Sequence, residues 1–274
     1  MNREELFHQI KKKNTYLCIG LDPDLDKLPE GLPRNLEGLL EFHKRIITAT
    51  EDLCIAYKPN LAFYEKLGHE GWDLLTETLN FIPSSHFTIA DAKRSDIANT
   101  SDQYAEAFFG ESLPFKVDAM TINPYMGEDS IRPFLKYPSK WTILLALTSN
   151  PGSQDFQKLK LENGRYLFEE VLLKAKTWAG PDQMMFVVGA TQPDALSSIR
   201  ALVPEYFLLV PGIGAQGGDL GKISKAGMNS KGGLIINASR SILYASSRDN
   251  FDIKARDAAL LIQKEMAQYL RMYI

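Results

Sequence analysis

The sequence predicts an α/β fold: a single closed (β/α)8 TIM barrel with an N-terminal helix, forming one catalytic domain over residues 1–274. Three observations carry that prediction. Eight short, β-rich apolar runs recur along the whole chain. Segments of helical periodicity with polar or Gly/Pro punctuation separate them, and no composition shift or Gly/Ser linker marks a domain boundary. Most of the runs are unbroken apolar stretches rather than strict alternations, which is the pattern of strands buried on both faces of a parallel sheet.

In chain order, a helix over 2–12 leads into the first strand, TYLCIGLD at 15–22. The segment 36–51 places Leu39, Leu40, Phe42, Ile46 and Ile47 on one broad helical face. Strands follow at 52–59, 86–93, 115–122 and 141–148. A second amphipathic segment, 164–179, groups Leu167, Phe168, Val171, Leu172, Ala175 and Trp178. The sixth strand lies at 183–190. Gln192-Pro193-Asp194 then opens a short helix with Pro in its first turn. Strands at 206–213 and 232–239 and a long amphipathic helix over 252–271 complete the pattern. The competing fold, an open doubly wound sheet, normally carries a Gly-rich turn after its first strand; here that position reads LDPDLDK. A plain barrel needs about 250 residues, so 274 leaves room for longer loops, expected after strands three, five and seven.

Composition narrows the function classes. With 45% hydrophobic residues, 34 acidic against 31 basic side chains and a net charge of −3, the chain can bury a core and lacks the basic excess of a nucleic-acid binder. Neither a secretory signal nor a membrane-length apolar run is visible, so a cytoplasmic protein with no membrane partner is expected. Cys18 and Cys54 sit inside apolar runs and read as small core residues. The four histidines show no ligand spacing, and no metal or cofactor is expected. Phe63-Tyr64 and Phe108-Phe109 read as helix faces.

Functional groups of a barrel collect at the C-terminal ends of its strands. Those ends carry Asp22; Lys58 and Asn60; Asp91, Lys93 and Asp96; Asn123; Ser149 and Asn150; Thr191 and Gln192; Pro211 with a Gly-rich loop; and Asn237, Ser239 and Arg240. Asp91 and Lys93 are two apart on a strand, so alternation predicts that both face the barrel mouth. With Lys58 and Asp96 they would form an alternating charge network that keeps each member ionised and fixes one ammonium as a candidate proton donor. Arg240 offers a fork of donors suited to a phosphate dianion, and the glycines at 212, 214, 217 and 218 would let backbone approach a ligand. The segment 212–222 is the expected lid.

The stretch Asp91-Ala92-Lys93-Arg94-Ser95-Asp96-Ile97-Ala98-Asn99-Thr100 resembles the Asp-x-Lys-x-x-Asp-Ile-x-x-Thr signature of orotidine 5′-phosphate decarboxylases. GLDPD, AYKPN, TINPYMG, TSNPGS, VPGIGAQGG and NASRSI fall in that family's order, and the chain looks like its longer bacterial subfamily. The resemblance implies cofactor-free decarboxylation of orotidine 5′-phosphate to UMP, the last step of de novo pyrimidine synthesis. By it, Lys93 protonates C6, Asp91 sits against the substrate carboxylate, and Lys58 and Asp96 complete the network. Asp96 and Thr100 would cross the interface of a homodimer. Asp22 and Lys58 would hold ribose hydroxyls, Ser149 the pyrimidine, and Gln216 base and phosphate, while Pro211, Ser239 and Arg240 line the phosphate end. Ser95 and Ser101 depart from the subfamily's usual Gly and its usual apolar or small residue. The same Asp-x-Lys-x-x-Asp element occurs in metal-dependent phosphosugar decarboxylases and aldolases on this barrel. A Schiff-base aldolase using Lys58 or Lys93 and an inactive nucleotide-binding protein are the further alternatives.

Overall fold

A computed structural model describes the chain except for Thr191, Gln192, residues 214–217 and the side chains of Ala98, Pro193 and Asp194. Eight parallel strands close on themselves in sequence order: β1 (Leu17–Leu21), β2 (Ala56–Pro59), β3 (Phe87–Arg94), β4 (Ala119–Ile122), β5 (Trp141–Leu147), β6 (Met184–Val188), β7 (Phe207–Pro211) and β8 (Leu234–Ala238). The last pairs with the first, Leu17 opposite Ile236 and Cys18 opposite Asn237. Each strand lies inside one predicted run, except that β3 extends one residue further to Arg94. Residues 52–55 and 115–118 supply approach to β2 and β4 rather than strand. β1, β2, β4, β6 and β8 are buried at every position, as a sheet filled by side chains inside and covered by helices outside requires.

The helices hold where periodicity and caps coincide. The first, Arg3–Lys13, is closed by a capping box between Asn2 and Glu5 and buries only Leu6 and Ile10. Helix Leu36–Thr50 buries Leu39, Phe42, Ile46 and Ile47 as predicted, with Leu40 at the margin, and adds His43. Helix Leu167–Trp178 buries Phe168, Leu172 and Ala175; Leu167, Val171 and Trp178 lie at the edge of that face. Helices Pro193–Leu202 and Phe251–Tyr273 stand where the sequence places them. Cys18 and Cys54 are buried free thiols, and Tyr64, Phe108 and Phe109 are core residues. No helix among the described residues is long and apolar enough to cross a membrane.

Loop lengths agree with expectation after β5 and differ after β1 and β3. The long connections at the mouth follow β1 (22–35) and β5 (148–166), whereas β3 hands over to the helix Ala98–Phe109 after residues 95–97. A long apolar run hides this, because the strand simply continues through the charged residues that follow it.

Candidate active site

At the C-terminal ends of the strands a cavity of about 350 Å³ opens, lined by Asp22, Lys58, Asn60, Asp91, Pro211, Gly212, Asn237, Ser239 and Arg240, together with Asp24, Lys27, Phe63, Ile213 and Tyr244. A three-membered ion network stands against it, of which Lys58 and Asp91 line the cavity and Lys93 does not. Lys58 Nζ donates to Asp91 Oδ2 at 2.8 Å, and Lys93 Nζ donates to Asp91 Oδ1 at 2.7 Å. Lys58 and Asp91 are nearly enclosed, with 5% and 11% of their side chains exposed, while Lys93 is 49% exposed at the mouth. Burial works against the charge on all enclosed members, yet the balance favours ionisation. The Asp91 and Asp22 carboxylates raise the Lys58 ammonium above its ordinary range, and the two ammonium groups hold Asp91 well below the usual carboxylate range.

Asp91 and Lys93 meet, but not by alternation. Ala90 pairs with Met120 and Arg94 with Ile122, so residues 91–93 bulge opposite Thr121 alone. Lys93 takes φ +50, a left-handed conformation that costs a residue with a Cβ on the order of 1 kcal/mol. Thr121, fully buried on β4, accepts the Lys93 backbone N–H and donates to Asp91 Oδ1, both at 3.0 Å. Sequence reading missed Thr121, because a threonine inside a β-rich run is ordinary strand composition. Asn123, which was singled out, instead caps the turn beginning at Pro124.

Beside Lys58, on the neighbouring strand, Tyr64 and Tyr244 hydroxyls donate to the carbonyls of Leu21 and Asp22 and fix the end of β1. Asp22 is half-buried and its pKa is raised, by desolvation first, with Lys58 and the Ser239 hydroxyl opposing. Its Oδ1 has no partner among the described residues, and neither does Asn237 Oδ1; a ligand could supply both. A Cβ at Gly20 would stand 1.9 Å from Ser239 Oγ, so a larger residue there would displace that hydroxyl. Asn237 Nδ2 donates to that same hydroxyl at 3.2 Å. Gly212 takes φ +105, open to glycine at little cost, and its carbonyl accepts the Gly218 N–H. Arg240 is exposed beside it, in no ion pair with a described residue. Phe63, expected on a helix face, contributes to the cavity wall from Leu61–Glu65.

Other predicted residues stand apart. Asp96 does not reach the lysines of its own chain; its Oδ1 accepts from the Ile97 N–H at 2.7 Å. Thr100 is exposed in the first turn of Ala98–Phe109, behind Ile97, which is 58% exposed. Ser101 is buried and ties the Asp96 backbone to the Ser130 carbonyl. Ser149 is half-buried outside the cavity lining. Gln216 lies outside the described residues, as do Thr191 and Gln192. The segment 212–222 is not one loop: Ile213 bridges Gly218, and helix Leu220–Gly227, capped by Asp219, already includes residues 220–222. Among the described residues no group of three or more His, Cys, Asp or Glu side chains is placed to hold a metal ion.

A closed eight-stranded barrel with a Lys-Asp-Lys network at its mouth, two members enclosed and Lys93 half-exposed, has the architecture of enzymes that work from strand-end residues. Residues 15–250 match the profile of the "Orotidine 5'-phosphate decarboxylase / HUMPS family", and the chain belongs to that family. It is 53% identical over 274 residues to the orotidine 5′-phosphate decarboxylase of Bacteroides fragilis strain YCH46, covering 99% of both chains. It is 52% identical over 273 residues to that of Parabacteroides distasonis, covering 98% of this chain and 96% of the other. The solved OMP decarboxylase of Leishmania donovani superposes with a TM-score of 0.84 at 36% identity, with 98% of each chain covered. The UMP synthase of the same organism superposes at 0.85 with 39% identity, covering 96% of this chain and 55% of that longer one.

Proposed function

We propose that this chain converts orotidine 5′-phosphate to UMP and carbon dioxide, with Lys93 as the proton donor. The observation that carries the reading is the fixed Lys58, Asp91, Lys93 network at the barrel mouth in a chain of this family. Breaking the bond between C6 and the carboxylate leaves an electron pair on a ring carbon that has no π sink. A preorganised cation beside that carbon is therefore the main means of lowering the barrier. Lys93 is such a cation: its ammonium is held by Asp91 yet half-exposed, so carbon dioxide departs, C6 keeps the pair, and an Nζ proton moves to C6. General-acid transfer of this kind is worth about 10²–10⁴-fold. Asp91 serves mainly to aim Lys93.

The rest of the cavity divides by polarity. Asp22, with its unpartnered buried oxygen, and Lys58 take the ribose hydroxyls. The turn at Pro211 and Gly212, the backbone at Ser239 and the unpaired Arg240 take the phosphate, joined by Gln216, and Ser149 approaches the base. Phosphate contacts far from C6 lower the barrier only if they act on the transition state, by holding the closed, dry site. Asp96 and Thr100 serve the neighbouring subunit of a homodimer, because within one chain Asp96 stays off the network. Ile97 beside it and Tyr125 on the next loop, 58% and 79% exposed, are apolar groups such an interface would cover. The enzyme works in the cytoplasm.

The test is the fall in absorbance of orotidine 5′-phosphate on adding purified protein in EDTA. Turnover is expected to be undiminished by the chelator. Turnover that needs added divalent metal would favour a phosphosugar-type lyase, and saturable UMP binding without turnover would leave a binding protein. For the shared site, mixed Lys93→Ala and Asp96→Ala subunits should recover about a quarter of wild-type activity, since half of the random dimers carry one intact site. A mixture as inactive as its parts would place each site within one chain.

A further inference from the structure

We propose that Thr121 is the positioning residue that sets Lys93 and Asp91 for turnover, a role that rests on the decarboxylase reading above. Thr121 is 1% exposed on β4 and is not among the residues that line the cavity, so its hydroxyl is closed to solvent. What it touches are the two groups whose relative placement matters. Its hydroxyl accepts from the Lys93 backbone N–H and donates its proton to Asp91 Oδ1, the same oxygen that receives Lys93 Nζ at 2.7 Å. One hydroxyl therefore ties the start of the lysine side chain to the carboxylate that holds its end.

The bulge makes this tie necessary. Between the pairs Ala90 with Met120 and Arg94 with Ile122, the regular ladder is interrupted, and Thr121 is the only β4 residue facing positions 91–93. A side-chain hydroxyl thus stands in for a missing ladder partner at the residue held left-handed. Without it the Lys93 N–H loses its acceptor, and the bulge loses the contact that selects this conformation over a regular strand. In a regular strand Lys93 would begin from a different direction, and Nζ would approach the cavity from a displaced position. Asp91 would keep both ammonium partners, so the charge of the site would survive while its geometry loosened. Small misplacements of a reacting group are costly in rate even when binding is intact.

The experiment compares Thr121→Val, which keeps the shape and removes the hydroxyl, with Thr121→Ser, which keeps the hydroxyl, in steady-state turnover of orotidine 5′-phosphate and in UMP binding. Thr121→Val should lower kcat about 10–100-fold with KM and UMP affinity within about twofold of wild type, because the loss falls on the transition state alone. Thr121→Ser should retain most of the wild-type kcat. An unchanged kcat in Thr121→Val, an equal loss in Thr121→Ser, or a parallel loss of UMP affinity overturns the role. If Thr121→Val does not fold, Thr121→Cys, a weak donor of similar size, reads the same split. A wild-type protein that releases no carbon dioxide overturns the decarboxylase reading itself, and the positioning role falls with it.

Discussion

The two ends of the barrel use polar groups in opposite ways. At the bottom, where the strands begin, most are taken up by the protein, with Thr142 Oγ1, Arg3 Nε and Gln9 Oε1 the buried exceptions among the described residues. The half-buried Arg200 guanidinium donates to the carbonyls of Gly227, Val203, Pro204, Tyr206 and Gly233. Lys13 Nζ binds the carbonyls of Glu51 and Cys54 and meets His86 Nε2 at 2.7 Å. Asp118 accepts the terminal ammonium at 2.6 Å and both the N–H and hydroxyl of Thr88. At the mouth, polar groups are left over: Asp22 Oδ1 and Asn237 Oδ1 are buried without partners, and Arg240 is unpaired among the described residues. Saturated hydrogen bonding stitches helices to strands and contributes stability, whereas unsatisfied groups cost stability until a ligand arrives. The same fold therefore gathers long-range hydrogen bonds at one end and the unpaired groups of the cavity at the other.

Asp91 is where the two behaviours overlap, since it is buried and doubly paired yet faces the cavity. Asp91→Ala is expected to have the largest effect, stranding the Lys58 ammonium at a cost of about 3–5 kcal/mol as well as abolishing turnover. Denaturant unfolding and carbon dioxide release check both halves, and a stable but inactive variant would mean that Lys58 finds another partner. Arg200→Leu probes the bottom alone. Five carbonyls lose the guanidinium, and of these Val203, Pro204 and Gly233 keep another donor, so a loss of about 2–4 kcal/mol is expected with kcat unchanged; a fall in kcat in the folded variant would show that the ends are coupled.

The smallest effect is a pH dependence confined to the bottom. Burial, reinforced by Lys13, pushes the His86 pKa down from 6.5 to about 4. A histidine with a depressed folded pKa contributes fully above its unfolded pKa, and that contribution is lost as pH falls from 6.5 through about 4. With His86 buried, about 2 kcal/mol is at stake between pH 7 and pH 4.5. Across the same window Lys58 and Asp91 stay ionised, because one is raised and the other lowered. Chemical denaturation at pH 7 and pH 4.5 should show a smaller acid loss for His86→Gln than for wild type, and equal losses would move the effect elsewhere.

The strands and the Asp91, Lys93 and Lys58 positions were legible in the sequence because each depends on a local signal: an apolar run and the charges that terminate it. What stayed hidden depends on register or on distance along the chain. Thr121 matters only because β3 bulges beside it. Tyr244 matters because its hydroxyl reaches Asp22, 222 residues away, and Phe63 because a five-residue helix turns it to the cavity. The helical end of the proposed lid escaped notice because its glycines look like loop, although Asp219 is a sound N-cap for the helix that follows.

The account stands or falls on Lys93, half-exposed and therefore removable without disturbing the core. Carbon dioxide release from carboxyl-labelled orotidine 5′-phosphate should fall at least about 10³-fold in Lys93→Ala, with thermal unfolding and UMP binding close to wild type. Release at a rate near wild type by a folded, UMP-binding Lys93→Ala protein would contradict it.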